Sequence, residues 1–146
     1  MAVPNAAKAN LLRGEHNLET DDVRVLLLDD SESFAFDPDT HEFVEDVLED
    51  GSEMDGDGYE RKDVDSQAVA QDDSGDRGSF SGANVTWENI DAGTIQTVVV
   101  FIEESDDADS PVIAVRDDAD VGDLPLPTNG SDVTINWDTD GILLLV

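Results

Sequence analysis

TIQTVVVFI, residues 94 to 102, decides how the rest of this chain is read. Seven of its nine residues are β-branched, which crowds a helix and suits a pleated surface. A run this short and apolar, between Gly93 and the acidic pair Glu103-Glu104, predicts a buried strand. Downstream, ESDDADSP links it at hairpin spacing to VIAVRD, residues 112 to 117, a second strand. Upstream, SFSGANVTWENI carries a short strand around Val85, Thr86 and Trp87.

Towards the N-terminus, DDVRVLLLDD alternates Val23, Val25 and Leu27 on one face while Leu26 and Leu28 cover the other. That pattern predicts a strand buried at least partly on both sides. GSEMDGDGYERKDVDSQAVA starts as a Gly/Asp loop and becomes a weakly patterned strand from about Tyr59 to Ala70, with QDDSGDRG as a turn. DADVGDLPLPTNGSD reads as a long loop. DVTINWD, residues 132 to 138, points Val133, Ile135 and Trp137 inward and Thr134 and Asn136 outward, and the closing ILLLV is expected as its strand partner.

Two segments change period. Pro4 and Gly14 bracket AAKANLLR as a short helix. In residues 37 to 51, Phe43, Val44, Val47 and Leu48 share a helical face, Asp37 or Asp39 is placed to cap, and Gly51 ends the helix. About six short strands with one or two short helices predict an all-β fold, a single antiparallel β-sandwich or barrel, jelly-roll-like. Residues 1–146 form one β-rich domain, with an N-terminal arm or short helix at about 1–14.

Acidic residues number 37 against 7 basic ones, a net charge of -30. A folded chain of this mass exposes roughly 7,300 Å², so net charges stand about 15 Å apart. They repel through the solvent at 0.1 M salt, where the Debye length is about 10 Å, and scarcely at 1 M, where it is about 3 Å. The composition predicts surface chemistry suited to molar salt; mimicry of a nucleic acid is the alternative, and it needs ordered rows of charge. There is no cysteine, which excludes thiolate chemistry and disulfide scaffolds. No signal-peptide h-region or membrane-length apolar run is present, so a soluble, unprocessed chain is expected.

Asn136, Asp138 and Asp140 stand two apart ahead of Gly141, as in the first half of a calcium loop. The bidentate carboxylate that such a loop needs would fall one residue past Val146. Asp138-Thr139-Asp140-Gly141 is therefore read as a turn joining two strands. Asp55-Gly56-Asp57-Gly58-Tyr59-Glu60 and Asp117-Asp118-Ala119-Asp120 are read in the same way, with loose cation binding as the alternative. His16 and His41 are the two imidazoles, and His41 has Asp39, Glu42 and Glu45 nearby in sequence. With acids everywhere, neither that pairing nor any pair of carboxylates singles out catalysis. Trp87, Trp137, Tyr59 and the five Phe are expected in the core. No phosphate loop, GxSxG, HExxH or basic patch occurs. No catalytic, cofactor-binding or metal-ligating set is assigned, no cofactor is expected, and the chain is read as a non-enzyme with neither nucleic acid nor membrane as partner.

Taken in order, MAVPNAAKANLL, VRVLLL after Thr20-Asp21-Asp22, DTHEFVEDV, the GDGY loop, DVDSQAVAQDDSGDRGSFSGANVTW and VTINWDTDGILLL cover almost the whole chain. Together they resemble a family of small virion structural proteins encoded among the head and tail genes of tailed bacteriophages and of tailed viruses of haloarchaea. The DTHEF block, Val85-Thr86-Trp87 and the Trp137 to Leu143 ending carry the resemblance most specifically. Glu60-Arg61-Lys62-Asp63 departs from it, standing where relatives continue with Gly and Thr. The resemblance implies a virion component assembled in the host cytoplasm: a capsid-associated decoration or turret subunit that binds the major capsid protein, or else a tail-associated structural or host-recognition subunit. It also implies a homo-oligomer. The acid-poor N-terminal stretch, with Ala2, Val3, Pro4, Leu11 and Leu12, is one candidate contact; the other reading packs it on its own sandwich. The segments 29 to 37 and 117 to 131 are the candidate host-recognition loops, and hydrolysis of a surface glycan is the third hypothesis.

Overall fold

The computed structural model describes residues 2–117 and 124–146. Along the chain come α1 (Asn5–Arg13), β1 (Val23–Asp29), α2 (Val44–Asp50), β2 (Lys62–Asp63), β3 (Ala68–Asp72), β4 (Arg77–Ser81), β5 (Val85–Trp87), β6 (Thr94–Ile102), β7 (Val112–Arg116), β8 (Leu126–Pro127), β9 (Val133–Ile135) and β10 (Leu143–Leu145). The largest sheet has the order β2-β1-β6-β7, with β8 also on β6. A second sheet runs β10-β4-β3, and β5 pairs with β9. Every pairing is antiparallel.

The apolar runs are continuous because the large sheet is covered on both faces. Val23, Val25 and Leu27 of β1 and Val98, Val100 and Ile102 of β6 join one core cluster, which the smaller sheets close with Phe80, Trp87, Ile135, Ile142 and Leu143. Leu26 and Leu28 face the other way with Val99, Phe101 and Val112, beneath Val44 and Val47 of α2. The architecture is therefore an all-β antiparallel sandwich with two short helices among the described residues, as the patterning predicts. β6 is the central strand, flanked by β1 and β7. At β1 its register runs from Val23↔Ile102 to Leu28↔Thr97.

Four expectations are corrected. The helix expected over residues 37 to 51 is confined to Val44–Asp50. Residues 37 to 41 form their own turn, with the Asp39 and His41 amides bonded to the Asp37 side chain and carbonyl. Neither Asp37 nor Asp39 caps; Phe43 is the extended N-cap, and its amide donates to Asp46 Oδ2 at 2.8 Å.

The strand expected from Tyr59 to Ala70 is broken. β2 pairs with β1, the chain turns at Ser66 with φ 56°, and β3 continues in the other sheet. Its partner β4 has Phe80 as its one fully buried residue, too little apolar patterning to be foreseen.

The turn at Asp138 to Gly141 is present: the Gly141 amide donates to the Asp138 carbonyl at 3.0 Å, and the Asp140 amide to Asp138 Oδ1 at 3.0 Å. Yet ILLLV does not return to residues 132 to 138. β9 is occupied by β5, where Thr86 and Thr134 hydroxyls meet at 2.8 Å, and β10 pairs with β4 in the register Leu143↔Phe80. Gly141 lies so close to β4 that a Cβ there would sit 2.7 Å from the Phe80 carbonyl oxygen. Arg116 fixes the crossing by donating to the carbonyls of Gly141 and Ile142 at 2.9 and 2.5 Å.

Within the expected 117 to 131 loop, Leu126–Pro127 adds a short strand to β6; residues 118 to 123 lie outside the described residues.

Candidate contact surface

Several of the residues that sequence reading placed in candidate cation or catalytic positions are engaged in holding the fold. Asp140 pairs with Arg77 at 2.8 Å, and Asp72 receives Arg77 Nε at 2.8 Å. Hydrogen bonds from Ser74 first, and then from Arg77 and the Gly75 amide, hold the Asp72 carboxyl down at about 2. In the DGDGY loop, Gly58 takes φ +78° against the backbone of Glu88 to Ile90, and the Asp91 amide donates to the Asp57 carbonyl. Of the Asp117-Asp118-Ala119-Asp120 group, the last three lie outside the described residues. Among the described residues no three His, Asp or Glu side chains gather as a metal-binding group.

His41 is buried between Phe34 and Phe36, at ring distances of 5.1 and 5.7 Å. Its acidic partner is Asp50, at 3.0 Å, rather than Asp39, Glu42 or Glu45. The Asp37 amide donates to Nδ1 at 2.9 Å, so Nε2 carries the proton towards Asp50. This imidazole pins the 37–41 turn to the end of α2. The same packing draws Phe34 and Phe36 out of the 29 to 37 loop and onto the core, which leaves residues 30 to 33 as its exposed tip.

Arg61 is the hub of the best-formed ionic cluster among the described residues. Its guanidinium grips Glu53 at 2.8 and 2.8 Å and Asp107 at 2.6 and 3.0 Å, and it stacks over Phe101 at 5.4 Å. Tyr59 donates to Glu53 Oε1 at 2.7 Å and accepts the Leu27 amide. Burial, then the Glu53 charge, pushes the Tyr59 hydroxyl well above its usual value, while Arg61 holds the Asp107 carboxyl below its own. Replacing Arg61 with Met strands two half-buried carboxylates, and a loss of about 2–3 kcal/mol is expected, discounted from the fully buried case. Urea unfolding in molar salt measures it. The sign with pH follows from Asp107: a depressed carboxylate contributes stability above its unfolded pKa and loses it as pH falls through the lower folded value.

The aromatic expectations divide. Trp87 is fully buried with its indole N–H on the Glu60 carbonyl at 2.7 Å. Trp137 lies at the margin, half-buried, donating to the Ala83 carbonyl at 2.9 Å beneath Arg116. It faces inward as predicted, yet it lids the core rather than filling it.

What sequence reading missed is a groove of 380 Å³ between the end of α1, the 15–19 turn and the sheet β10-β4-β3, with Leu11, His16, Val69, Phe80 and Leu145 in its walls. α1 is seated on its own sandwich: Ala2 and Val115 exchange backbone bonds of 2.9 and 2.8 Å, Ala7 is buried, and Val3 and Leu11 pack on the core. Its outer side stays open, and Leu12 is 87% exposed. The other exposed large apolar side chains among the described residues are Val69, Leu145 and Val146, and Val69 and Leu145 line the same groove. Lys8 and Arg13 of α1 bond to the side-chain oxygens of Asn5 and Asn10, whereas Arg24, Arg61, Lys62 and Arg77 hold carboxylates.

Among the described residues no helix is long and apolar enough to cross a membrane. In comparisons with protein-family models, curated proteins and solved structures, nothing matches the chain.

Proposed function

We propose that this chain is a non-enzymatic virion structural protein of a tailed virus of a halophilic archaeon, a capsid-associated decoration or turret subunit that contacts the major capsid protein. One observation carries the reading beyond the resemblance in sequence. On a domain of net charge -30, two of the four exposed large apolar side chains among the described residues, Val69 and Leu145, line one groove beside the acid-free helix α1. Exposed apolar surface of this kind marks a site of association. A stable contact buries about 800 Å² on each partner, roughly a tenth of the 7410 Å² surface of the chain. The motifs that carry the resemblance serve the framework: His41 of the DTHEF block is clamped to Asp50, Trp87 fills the core, and Ile142 is tied to β4 and Arg116.

Cryo-electron microscopy of purified particles carrying a labelled copy of this chain tests the proposal. Regularly repeated density over the head is the expected result. A few copies at the tail tip would assign the protein to the tail instead, and absence from washed particles would overturn the structural role.

A further inference from the structure

We infer that Asn129-Gly130 is a self-modifying site held in check by the fold, an asparagine that converts to aspartate or isoaspartate once its loop opens. The reaction needs only water, so it goes beyond a place in a particle and does not depend on one.

This pair is where the chain sets Gly directly after Asn; every other asparagine precedes Ala, Leu, Val, Ile or Trp. Gly130 takes φ +85°, a conformation that glycine adopts readily. Having no Cβ, it also leaves its amide nitrogen open to the side chain before it, where the other successors crowd the approach. In the reaction the Gly130 N–H gives its proton to water or hydroxide, and the nitrogen attacks Cγ of Asn129. The N–Cγ bond forms, the Cγ–Nδ2 bond breaks, and the amide nitrogen takes up a proton and leaves as ammonia. Water then opens the five-membered imide at one of its two carbonyls. One opening leaves aspartate; the other leaves isoaspartate, with one more carbon in the backbone.

The folded loop prepares one half of this step and blocks the other. The Ser131 amide donates to Asn129 Oδ1 at 3.2 Å, which draws electrons from the carbon under attack. The Gly130 amide, however, donates to the Ile90 carbonyl at 2.8 Å, and Ile90 has no exposed surface. While that bond lasts, base does not reach the proton, and the electron pair it would leave points at Ile90 rather than at Cγ. Neighbouring bonds guard the clamp. The Thr128 amide and hydroxyl donate to the Gly93 carbonyl at 2.9 and 2.6 Å, Thr128 Oγ1 accepts the Ala92 amide at 2.9 Å, and the Asn89 amide donates to Asp132 Oδ1 at 2.9 Å. Asn129 itself is exposed, so water meets the side chain as soon as the clamp releases. The added carbon of isoaspartate falls between the bonds to Gly93 and to Ile90, whose spacing is fixed, and the modified loop no longer closes.

The intact chain, kept in molar KCl at mildly alkaline pH with and without unfolding urea, is digested and read by mass spectrometry. Residue 129 should gain the mass difference between water and ammonia at least about tenfold faster in the unfolded chain, since the folded one reacts only through its openings. Asn84, Asn89 and Asn136 should stay unchanged over the same period. In urea, where folding plays no part, Gly130→Ala should slow the reaction about tenfold by crowding the attack. Without urea, Thr128→Val removes the guarding hydroxyl and should speed the reaction severalfold while the β signal in circular dichroism is kept. When the urea is removed, isoaspartate should be depleted from the chains that refold. No gain at residue 129 in urea overturns the site. Equal rates with and without urea, or a folded rate indifferent to Thr128→Val, overturn the clamp, and isoaspartate undiminished among refolded chains overturns the failure to close.

Discussion

Moving the protein from molar salt into dilute buffer at neutral pH is expected to unfold it, with the β signal in circular dichroism lost below a few tenths molar. The surface of 7410 Å² and the net charge of -30 put net charges about 16 Å apart, each neighbouring pair repelling by about 0.25 kcal/mol in unscreened water. With about six neighbours per charge, the sum is about 22 kcal/mol unscreened; it falls to about a fifth of that at 0.1 M salt and below a hundredth at 1 M. A domain is stable by only about 5–15 kcal/mol. The unfolded chain spreads its charges and escapes most of the repulsion, so the compact state carries the cost. Acid provides a cross-check at low salt. Ordinary carboxylates titrate near 4, so lowering the pH towards 4 relieves the repulsion. Asp72, held at about 2 against a usual 3.8, keeps its bonds to Ser74 and Arg77 until the pH drops through its own depressed value. Low-salt stability should therefore rise as the pH falls to about 4 and decline again below 3. Full β signal in dilute neutral buffer would overturn this account of the charge.

The central sandwich was legible because its strands obey one local rule. In β1 the alternation assigns Val25 and Leu27 to one face and Leu26 to the other before any partner is known, and the β-branched run of β6 marks it as buried. β10 was misassigned because its partner depends on non-local facts: β9 is already satisfied by β5, and Arg116, distant in sequence, holds the carbonyls of Gly141 and Ile142. Proximity in sequence made 132 to 138 the obvious mate, but tertiary bonding decided otherwise. Leu143 is buried, while Leu145 is 46% exposed because the strand runs out past the core. The contact surface was half legible. Acid depletion in residues 1 to 14 drew attention to Leu11 and Leu12, but the groove needs β3 and β4, whose residues lack periodic apolar signal. The role of Arg61 was not legible, since nothing local relates it to Glu53 or Asp107.

Trp87→Ala is expected to cause the largest loss of any single substitution considered, about 3–5 kcal/mol, in keeping with aromatic truncations in a closed core. The side chain has no exposed surface and packs where the β5-β9 pair meets the large sheet, so removing it opens a cavity that two anchored layers cannot collapse to fill. It also deprives the Glu60 carbonyl of its indole donor, 2.7 Å away, and loosens the chain one residue before the Arg61 clamp. Urea is the denaturant of choice because, unlike guanidinium chloride, it leaves the ionic strength unchanged; in molar KCl the midpoint should fall by about 2 M. Trp87→Phe separates the causes, since it retains most of the volume and loses only the donor, and a cost of about 1–2 kcal/mol is expected. Trp137→Ala sets the scale from the other side: half-buried beneath Arg116, it should cost about 1–3 kcal/mol. Were Trp137→Ala the more damaging of the two, the core would centre on the C-terminal turn rather than between the sheets, and the layering derived from the β1 and β6 alternation would be wrong.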